Sequence, residues 1–547
     1  MPTITLEKSY LLKLLGKKYS DAVLADRIAM LGTDLERVDE KEIVVEVFPN
    51  RPDMLSAEGF ARALSSFLGI KKGLKNYKVK KSKLKVEIDK SVKEVRPFIK
   101  CAVIKHIKFN DAAIKSLMQL QEKLHQTHGR KRKKVAIGVH DFDKIKFPLT
   151  YKAAKPDSYA FTPLGDKKRL TLEQILKKTP KGQQYAWILE SKKEYPIIVD
   201  ADDEVISFPP IINSVLTQVN ESTKNIFIDV TGTDELAVNQ ALNIIVSSLA
   251  YRKGEIYAVK TGKDLTPNLE PRTIKIDIAY VNKLLGLNLK ESKLKELLSR
   301  MGLGYKAKKA VIPPYRVDIL HPIDIVEDVA IAYGYENFEP VIPKISTVGE
   351  ENHKEIFFRR VSSIITGFGF LETSTYHLTN YSDMKTKMNA DIPYLELSNS
   401  VSSEFYILRP WLLPLLIKVL SENKTREYPH MVFEIGTVFS SDIEEETRIF
   451  EKKNLAIAIA SRSADFTKIK QVVDALMNAL GIKYDVEEAK NSSFIPGRVA
   501  NILIDDQNIG FMGELSPAIL SNWQLDTPVC CLEIDIEKIY AAAVNSD

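Results

Sequence analysis

Four carboxylates lie close together near residue 320, in the order Asp318, Asp324, Glu327 and Asp328. The last three are spaced i, i+3 and i+4, so on a helix they would share one face. Clustered negative charges repel one another unless a cation or a basic side chain neutralises them, and hard oxygen ligands suit Mg²⁺. The spacing alone is equally compatible with a magnesium site and with an acidic, solvated helix face.

A second group of polar residues lies at the ends of apolar strand-like segments. Ser207 and Asn213 belong to one such segment, and Asp229 and Thr231 belong to another. Polar atoms at the rim of an apolar pocket are typical of small-molecule sites. Turn chemistry is the alternative, and from the pattern alone the better one, because Pro-Pro with Asn-Ser and Thr-Gly-Thr-Asp form turns and helix caps without a ligand.

Hydrophobic periodicity predicts the elements that must position these groups. The carboxylates belong to a predicted helix that begins at Pro322 and ends at Gly334. Segments 205–208 and 225–230 are predicted strands. A predicted helix over 235–251 should turn four apolar residues inward, namely Leu236, Leu242, Ile245 and Leu249.

Length and composition indicate a multidomain globular protein. The 547 residues predict three to five domains, and 44% hydrophobic with 27% charged residues is usual for soluble proteins. Cys101, Cys530 and Cys531 have neither metal-ligand spacing nor the pattern of a disulfide framework, which predicts a reducing, cytoplasmic location. We expect no targeting or membrane-spanning segment, because the most apolar stretch, 406–420, is interrupted by Arg, Lys and Pro.

The net charge of +6 is mild, but basic residues are clustered in two places. Segment 71–85 holds eight lysines, and 130–134 is an unbroken run of arginine and lysine. Such runs attract phosphate backbones. For segment 71–85, solvated lysines in a linker are a better explanation than an RNA contact. Segment 130–134 is equally compatible with an RNA contact and with a solvated loop.

The acidic segment resembles a known module. PPYRVDILHPIDIVEDVAIAYGY, at 313–335, closely resembles the B5 module of the phenylalanyl-tRNA synthetase beta subunit family. All four carboxylates occupy matching acidic positions. The resemblance implies an Mg²⁺ site, shared with the alpha subunit, that is made by Asp318, Asp324, Glu327 and Asp328.

The polar-ended strands resemble a second module of the same family. SFPPIIN at 207–213 and FIDVTGTD at 227–234 are similar to the B3/B4 editing domain of its archaeal and eukaryotic branch, which hydrolyses tyrosine mischarged onto the phenylalanine tRNA. A second site is needed for a physical reason. An apolar pocket discriminates by only about 100-fold against a ligand that differs from its substrate by one additional hydroxyl. A second site that hydrogen-bonds the phenol leaves its polar group unpaired when phenylalanine enters.

This resemblance implies roles for the four polar residues. We expect Asp229 with Thr231 to recognise the phenol, and Ser207 and Asn213 to contact the backbone and the ester. No Ser-His-Asp or Cys-His set is spaced for a nucleophile in the sequence, and His140 is predicted to be structural. Hydrolysis by a positioned water is therefore the predicted mechanism.

The last two hundred residues resemble the antiparallel core of class II synthetases as it occurs in this beta subunit. EFYILRP at 404–410 and VFEIG at 432–436 carry the resemblance. Working class II sites hold ATP phosphates with arginines from F-R-x-E and G-x-G-x-G-x-x-R segments, because guanidinium donors fit a triphosphate. The sequence has neither segment, since FRRV at 358–361 lacks the glutamate. The core is therefore predicted to be catalytically silent.

These resemblances predict a multidomain α+β protein. We expect an N-terminal B1-like module at 1–83, a mixed α/β B3/B4 editing domain at 84–265, a winged-helix-like B5 domain at 271–340 and the silent class II-like core at 352–547. Such a chain would join an alpha subunit in an α2β2 tetramer, bind tRNA(Phe) and support ATP-dependent charging. Two rival interpretations are a free-standing editing hydrolase and an RNA-binding scaffold without chemistry.

Overall fold

The computed structural model describes residues 2–545 and shows two compact units that divide between Ile342 and Pro343. The first unit contains three consecutive modules, and the second is built around one large sheet. Within the described residues, none of the helices combines the length and the apolar character needed to span a bilayer.

The first module is a small antiparallel sheet with helices packed against it. Its elements are β1 (Thr3–Glu7), α1 (Lys8–Leu15), α2 (Asp21–Met30), β2 (Asp34–Val38), β3 (Glu42–Glu46) and α3 (Ala57–Phe67). The sheet order is β1-β3-β2. Helix α3 begins where the Ser56 hydroxyl accepts from the Gly59 N–H, and nearly all of its residues are buried.

The second module is a mixed sheet with helices. Its elements are β4 (Val79–Lys80), β5 (Lys85–Ile88), β6 (Phe98–Lys105), α4 (Asp111–Gln126), β7 (Val135–Asp141), β8 (Leu149–Ala154), β9 (Ala160–Phe161), β10 (Leu170–Thr171), α5 (Leu172–Lys178), α6 (Pro180–Tyr185), β11 (Tyr195–Val199), β12 (Val205–Phe208), β13 (Ile212–Asn213), β14 (Ile226–Gly232), α7 (Glu235–Ala250), β15 (Glu255–Thr261) and β16 (Asp264–Thr266). The main sheet has the order β13-β12-β11-β8-β5-β15-β6-β14-β7. Strand β14 is therefore central to the half of the sheet formed by β6, β14 and β7.

Side chains along β14 alternate between two faces of the sheet. Ile228 and Val230 pack into the core with α7, whereas Asp229 and Thr231 face the other side. The predicted strands and the predicted helix at 235–251 are confirmed within one or two residues. The inward position predicted for Leu236 is wrong, because this side chain is 68% exposed. Leu236 is six residues before Leu242, which rotates it about 120° around the helix from the buried face.

The third module carries the acidic residues. Its elements are β17 (Arg272–Lys275), α8 (Ile278–Leu285), α9 (Glu291–Arg300), β18 (Gly304–Lys306), β19 (Lys309–Ile312) and α10 (Pro322–Tyr333). The small antiparallel sheet has the order β17-β19-β18. The predicted helix from Pro322 is confirmed as α10, which ends at Gly334 with a φ of 95°.

The second unit is a largely antiparallel sheet between helices. Its elements are α11 (His353–Gly367), β20 (Leu371–Glu372), β21 (Leu378–Thr379), β22 (Leu395–Glu396), β23 (Ile407–Leu408), α12 (Leu413–Glu422), β24 (His430–Ser441), β25 (Ile449–Ala460), α13 (Phe466–Leu480), β26 (Asp485–Glu488), β27 (Phe494–Ile504), β28 (Gln507–Leu515), α14 (Pro517–Asn522), β29 (Val529–Asp535) and α15 (Ile536–Asn545). The main sheet has the order β20-β24-β25-β29-β28-β27-β26. Only the β20–β24 pair in this order is parallel.

Short helical turns connect these elements. They are Pro52–Met54, Lys90–Glu94, Phe142–Lys144, Ala186–Ile188, Val215–Thr217, Tyr335–Asn337 and the π-helical Ser382–Thr386. The turn Val215–Thr217 matters for the site, because it places a threonine hydroxyl beside β7 and β14.

Candidate functional site

A cavity of about 710 Å³ lies in the second module, between α4, β7, β14 and the segment from β12 to the turn Val215–Thr217. All four polar residues predicted from the strand ends line it, namely Ser207, Asn213, Asp229 and Thr231. Most of the remaining wall is apolar and includes Ile137, Phe208 and Ile211. The structure thus brings Ser207 and Asn213 into one cavity with Asp229 and Thr231, which belong to a separate strand.

Asp229 is a buried carboxylate in the wall of this cavity, with 1% of its surface exposed. His140 on β7 donates from Nε2 to Asp229 Oδ2 over 2.8 Å. Asp229 lies opposite Gly138 in the register of β14 and β7. A Cβ atom at position 138 would lie 2.0 Å from Asp229 Oδ2, so only glycine leaves room for the carboxylate in this position.

Thr231 is held by a buried arginine that precedes β6. Arg96 donates from Nε to Thr231 Oγ1 over 2.9 Å and from Nη2 to the Thr231 carbonyl over 2.8 Å. Because its oxygen accepts from Arg96, the Thr231 hydroxyl retains its own proton for donation to a ligand. Burial lowers the pKa of Arg96 to about 10, which leaves the guanidinium charged at neutral pH.

Ser207 and Asn213 form a pair across β12 and β13. The Ser207 hydroxyl donates to Asn213 Oδ1 over 3.0 Å, and the two residues are opposite each other in the strand register. The amide oxygen of Asn213 is therefore occupied, and its NH₂ group is left to donate to a ligand. A carbonyl oxygen of an ester is the kind of acceptor that such a donor suits.

The sequence analysis missed several residues of the cavity wall, among them Glu122, His125 and Arg132. Arg132 donates from Nη1 to the Ile211 carbonyl over 2.8 Å and from Nη2 to Glu122 Oε2 over 3.2 Å. The contact with His125 lowers the pKa of Glu122, and the hydrogen bond from Gln126 and the charge of Arg132 add to this effect, whereas burial opposes it. The basic run at 130–134 was the only sequence signal for Arg132, and it was equally compatible with an RNA contact and with a solvated loop.

The basic run forms a strained turn beside the cavity. Arg130, Lys131 and Arg132 have φ values of 47°, 52° and 67°, a left-handed conformation that costs energy for residues with a Cβ. Arg96 Nη1 donates to the Lys133 carbonyl over 3.1 Å and so ties the turn to Thr231. Arg130, Lys131 and Lys133 remain exposed, which leaves their charges available to solvent or to a polyanion.

The four acidic residues of the third module do not converge on one point. Arg316 lies between two of them, with Nη2 at 2.7 Å from Asp318 Oδ2 and 2.9 Å from Asp328 Oδ2. Burial raises the pKa of Asp328, although Arg316 opposes that shift. The guanidinium therefore contacts two of the four carboxylates and compensates one of their two negative charges.

The other two carboxylates also have internal partners. Asp324 Oδ2 accepts from the backbone N–H groups of Leu320 and His321, each over 2.7 Å. Glu327 Oε1 accepts from the Tyr335 hydroxyl over 2.9 Å. Across residues 2–545, no three carboxylate, imidazole or thiol groups are arranged to hold one metal ion. In this arrangement the acidic residues do not fit a single bound cation.

Family models match consecutive parts of the chain. They are the Phe-tRNA synthetase beta subunit B1 domain at 1–70, the B3/4 domain at 90–252, the tRNA synthetase B5 domain at 274–335 and the phenylalanyl tRNA synthetase beta chain CLM domain at 339–536. The cavity lies within the B3/4 match, and the acidic residues lie within the B5 match.

Two relatives and one solved structure are similar to the chain. The chain is 43% identical to the phenylalanine–tRNA ligase beta subunit of Archaeoglobus fulgidus and 40% identical to that of Pyrococcus furiosus, over 99% of this chain and 99% and 100% of those proteins. A crystal structure of an N-terminal fragment of the beta subunit from Pyrococcus horikoshii matches with a TM-score of 0.58 at 40% identity, covering 61% of this chain and 99% of the fragment. The predicted family is thus confirmed, and the chain belongs to the phenylalanine–tRNA ligase beta subunits.

Proposed function

We infer that this chain is the proofreading and architectural subunit of a phenylalanine–tRNA ligase. Membership of the beta subunit family implies an alpha subunit and tRNA as partners. An α2β2 tetramer with tRNA(Phe), located in the cytoplasm, is our proposal, and three free, buried cysteines suit a reducing compartment. We assign activation of phenylalanine by ATP to the alpha subunit, because the 352–547 core lacks both arginine segments that hold ATP.

We propose that the cavity hydrolyses tyrosine mischarged onto tRNA(Phe). The B3/B4 domain is assigned the boundaries 84–265, beside B1 at 1–83, B5 at 271–340 and the silent core at 352–547. A phenol hydroxyl both donates and accepts, and Asp229 with Thr231 offers one acceptor and one donor in the same wall. Ser207 and Asn213 are assigned to the ester, and a positioned water is the nucleophile.

A single observation carries this proposal: the Asp229 carboxylate is 1% exposed in a largely apolar cavity. A phenylalanine ring in this cavity would leave the carboxylate without a hydrogen-bond donor from the ligand, which is costly for a buried charged group. A tyrosine ring would satisfy it. The cavity therefore favours tyrosine because phenylalanine leaves the carboxylate unpaired. A purely apolar aminoacylation site has the opposite preference.

Replacement of Asp229 tests the proposal. In Asp229→Ala the ratio of kcat/KM for deacylation of Tyr-tRNA(Phe) to that of Phe-tRNA(Phe) should fall about 10- to 100-fold, the scale of one hydrogen bond to a charged group. Tyrosine loses its acceptor, and phenylalanine no longer leaves a carboxylate unpaired. The assay uses the full chain with its alpha subunit and tRNA charged with either amino acid.

Asp141→Ala is the matched control. Asp141 is another buried carboxylate, at the end of β7, but it lies outside the cavity lining and accepts from the Thr223 hydroxyl over 3.0 Å. Its removal should lower stability without changing the ratio. An Asp229→Ala enzyme with an unchanged ratio would contradict the assignment of this carboxylate.

We keep the Mg²⁺ site of Asp318, Asp324, Glu327 and Asp328 as a proposal for the complex with the alpha subunit. Hard oxygen donors are the right chemistry for this ion. For the full set to hold one cation, Asp318 and Asp328 would have to turn away from Arg316.

A further inference from the structure

Three buried side chains form a hydrogen-bonded chain behind the cavity wall. Thr217 Oγ1 lies 2.7 Å from His140 Nδ1, and His140 Nε2 lies 2.8 Å from Asp229 Oδ2. Their exposed fractions are 1%, 0% and 1%. Thr217 and Asp229 line the cavity, and His140 connects them from behind.

The direction of these hydrogen bonds follows from what each group can donate. An ionised carboxylate only accepts, so the Nε2 atom of His140 must carry a proton. In the neutral ring Nδ1 then has no proton and accepts from the Thr217 hydroxyl. Both ring nitrogens of His140 and Asp229 Oδ2 have partners in this arrangement, and the hydrogen bond from Thr217 holds the ring in the orientation that donates to Asp229.

This donor matters because Asp229 lies in poorly solvating surroundings. Its neighbours in the strand register are Cys101 on β6 and Gly138 on β7, and the buried Phe227 precedes it by two residues on the same face. A buried carboxylate needs hydrogen-bond donors in place of the water it has lost, and His140 supplies one of them. His140 also fixes the plane of the carboxylate, so that Oδ2 is occupied and Oδ1 is left for a ligand.

We propose that His140 is a positioning residue of the cavity: held by Thr217, it keeps the Asp229 carboxylate oriented as an acceptor for the hydroxyl of the ligand. The inference rests on the proposed editing function and deepens it. It assigns selectivity for tyrosine over phenylalanine to a pair, His140 and Thr217, of which the histidine never touches the ligand.

Two variants of His140 separate its two hydrogen bonds. His140→Gln can place an amide N–H near the position of Nε2 and so keep the donor to Asp229, whereas His140→Asn mimics Nδ1 and loses that donor. In the complex with the alpha subunit, His140→Gln should keep the Tyr-tRNA(Phe) to Phe-tRNA(Phe) deacylation ratio within about 3-fold of wild type. His140→Asn should lower it about 10- to 100-fold, as expected for one hydrogen bond to a charged group.

Thr217 gives a second, milder pair of variants that decides the matter if the histidine variants fail to fold. Thr217→Val removes the hydroxyl at nearly constant shape and should lower the ratio about 2- to 10-fold, the scale of one ordinary hydrogen bond. Thr217→Ser keeps the hydroxyl and should preserve the ratio. Equal ratios in both members of the pair, whether retained or lost, would overturn the proposal.

The wild-type enzyme distinguishes failure of this inference from failure of the proposed function. A wild type that deacylates Tyr-tRNA(Phe) no faster than Phe-tRNA(Phe) would remove the editing function and this inference with it. A wild type that discriminates, together with His140→Asn and His140→Gln variants that discriminate equally well, would leave the function in place and overturn only the role of His140.

Discussion

At the scale of single residues, the cavity wall depends on a histidine that must stay neutral. The Ile137 N–H donates to His125 Nε2 over 2.8 Å, so this nitrogen cannot carry a proton in the folded chain. Burial lowers the pKa of His125 to about 4, and it outweighs the attraction of Glu122, whose Oε2 lies 3.6 Å from Nδ1. The unfolded chain has no such restriction.

Stability should therefore fall in acid because of this residue. The unfolded chain takes up a proton on His125 below about pH 6.5, and the folded chain does so only near pH 4. We expect the free energy of unfolding to decrease across that interval by about 3 kcal/mol from His125 alone, since one pKa unit corresponds to about 1.4 kcal/mol. Urea denaturation at a series of pH values measures this loss.

His125→Gln provides the comparison for this prediction. Its amide oxygen can accept from the Ile137 N–H but does not titrate. Between pH 7 and pH 4 the wild type should lose more unfolding free energy than the variant, because only the wild type carries the titrating His125 side chain. A constant difference over this range would show that His125 is not the source of the pH dependence.

At the scale of elements, α3 is held close to the chain that precedes it. Gly59 lies in its first turn, and a Cβ atom there would lie 2.0 Å from the Asp53 carbonyl oxygen. Asp53 is itself fixed, because it is 1% exposed and Arg51 donates to its carboxylate over 2.8 Å. The helix and the turn Pro52–Met54 therefore cannot separate to admit a methyl group without loss of other contacts.

This close approach reverses the usual effect of replacing glycine in a helix. Alanine normally stabilises a helix by about 0.5–1 kcal/mol relative to glycine. Gly59→Ala should instead destabilise by about 1–3 kcal/mol, the usual cost of overpacking. Hydrogen exchange of peptides from α3, measured by mass spectrometry in urea, reports the change in the full chain.

Gly367→Ala is the matched substitution for that experiment. Gly367 ends α11, and a Cβ atom there would have no neighbour within 4 Å. Exchange in α11 should be unchanged or slower in this variant. A Gly59→Ala chain whose α3 exchanges as slowly as wild type would contradict the steric argument.

At the scale of the whole molecule, buried charges join the first and third modules. The guanidinium of Arg62 on α3 lies 3.6 Å from the centre of the Tyr315 ring and 3.6 Å from Asp53 Oδ2. Burial by itself would raise the pKa of Asp53, but Arg51, Arg62 and Arg316 together lower it. Arg316 thus belongs to a network between modules as well as to the acidic cluster, which links any cation site there to the packing of the two modules.

Magnesium binding is a property to test in the assembled complex. Glu327→Gln should weaken Mg²⁺ binding about 10-fold or more in calorimetric titration of the metal-free complex, because a charged ligand is replaced by a neutral one. Glu291→Gln is the control, since Glu291 also accepts from a tyrosine hydroxyl, that of Tyr305, over 2.9 Å. Equal binding by both variants and wild type would remove Glu327 from the site.

Local patterns in the sequence determined the elements and the family. The apolar periodicity after Pro322 predicted α10 correctly, and the short apolar run at 225–230 predicted β14, because such patterns are properties of neighbouring residues. The motifs around Asp229 and Asp324 identified the family for the same reason. The resemblance to the B3/B4 domain, and not the pattern alone, indicated the four polar residues that line the cavity.

Only the tertiary structure decided what surrounds those residues. His140 is 77 positions from Thr217 and 89 from Asp229, so their hydrogen bonds depend on the pairing of β7 with β14 and on a turn that returns to both. Arg316 and Asp328 likewise meet through a loop and a helix. Partners of this kind are set by which strands and helices pack together, and no local spacing encodes that choice.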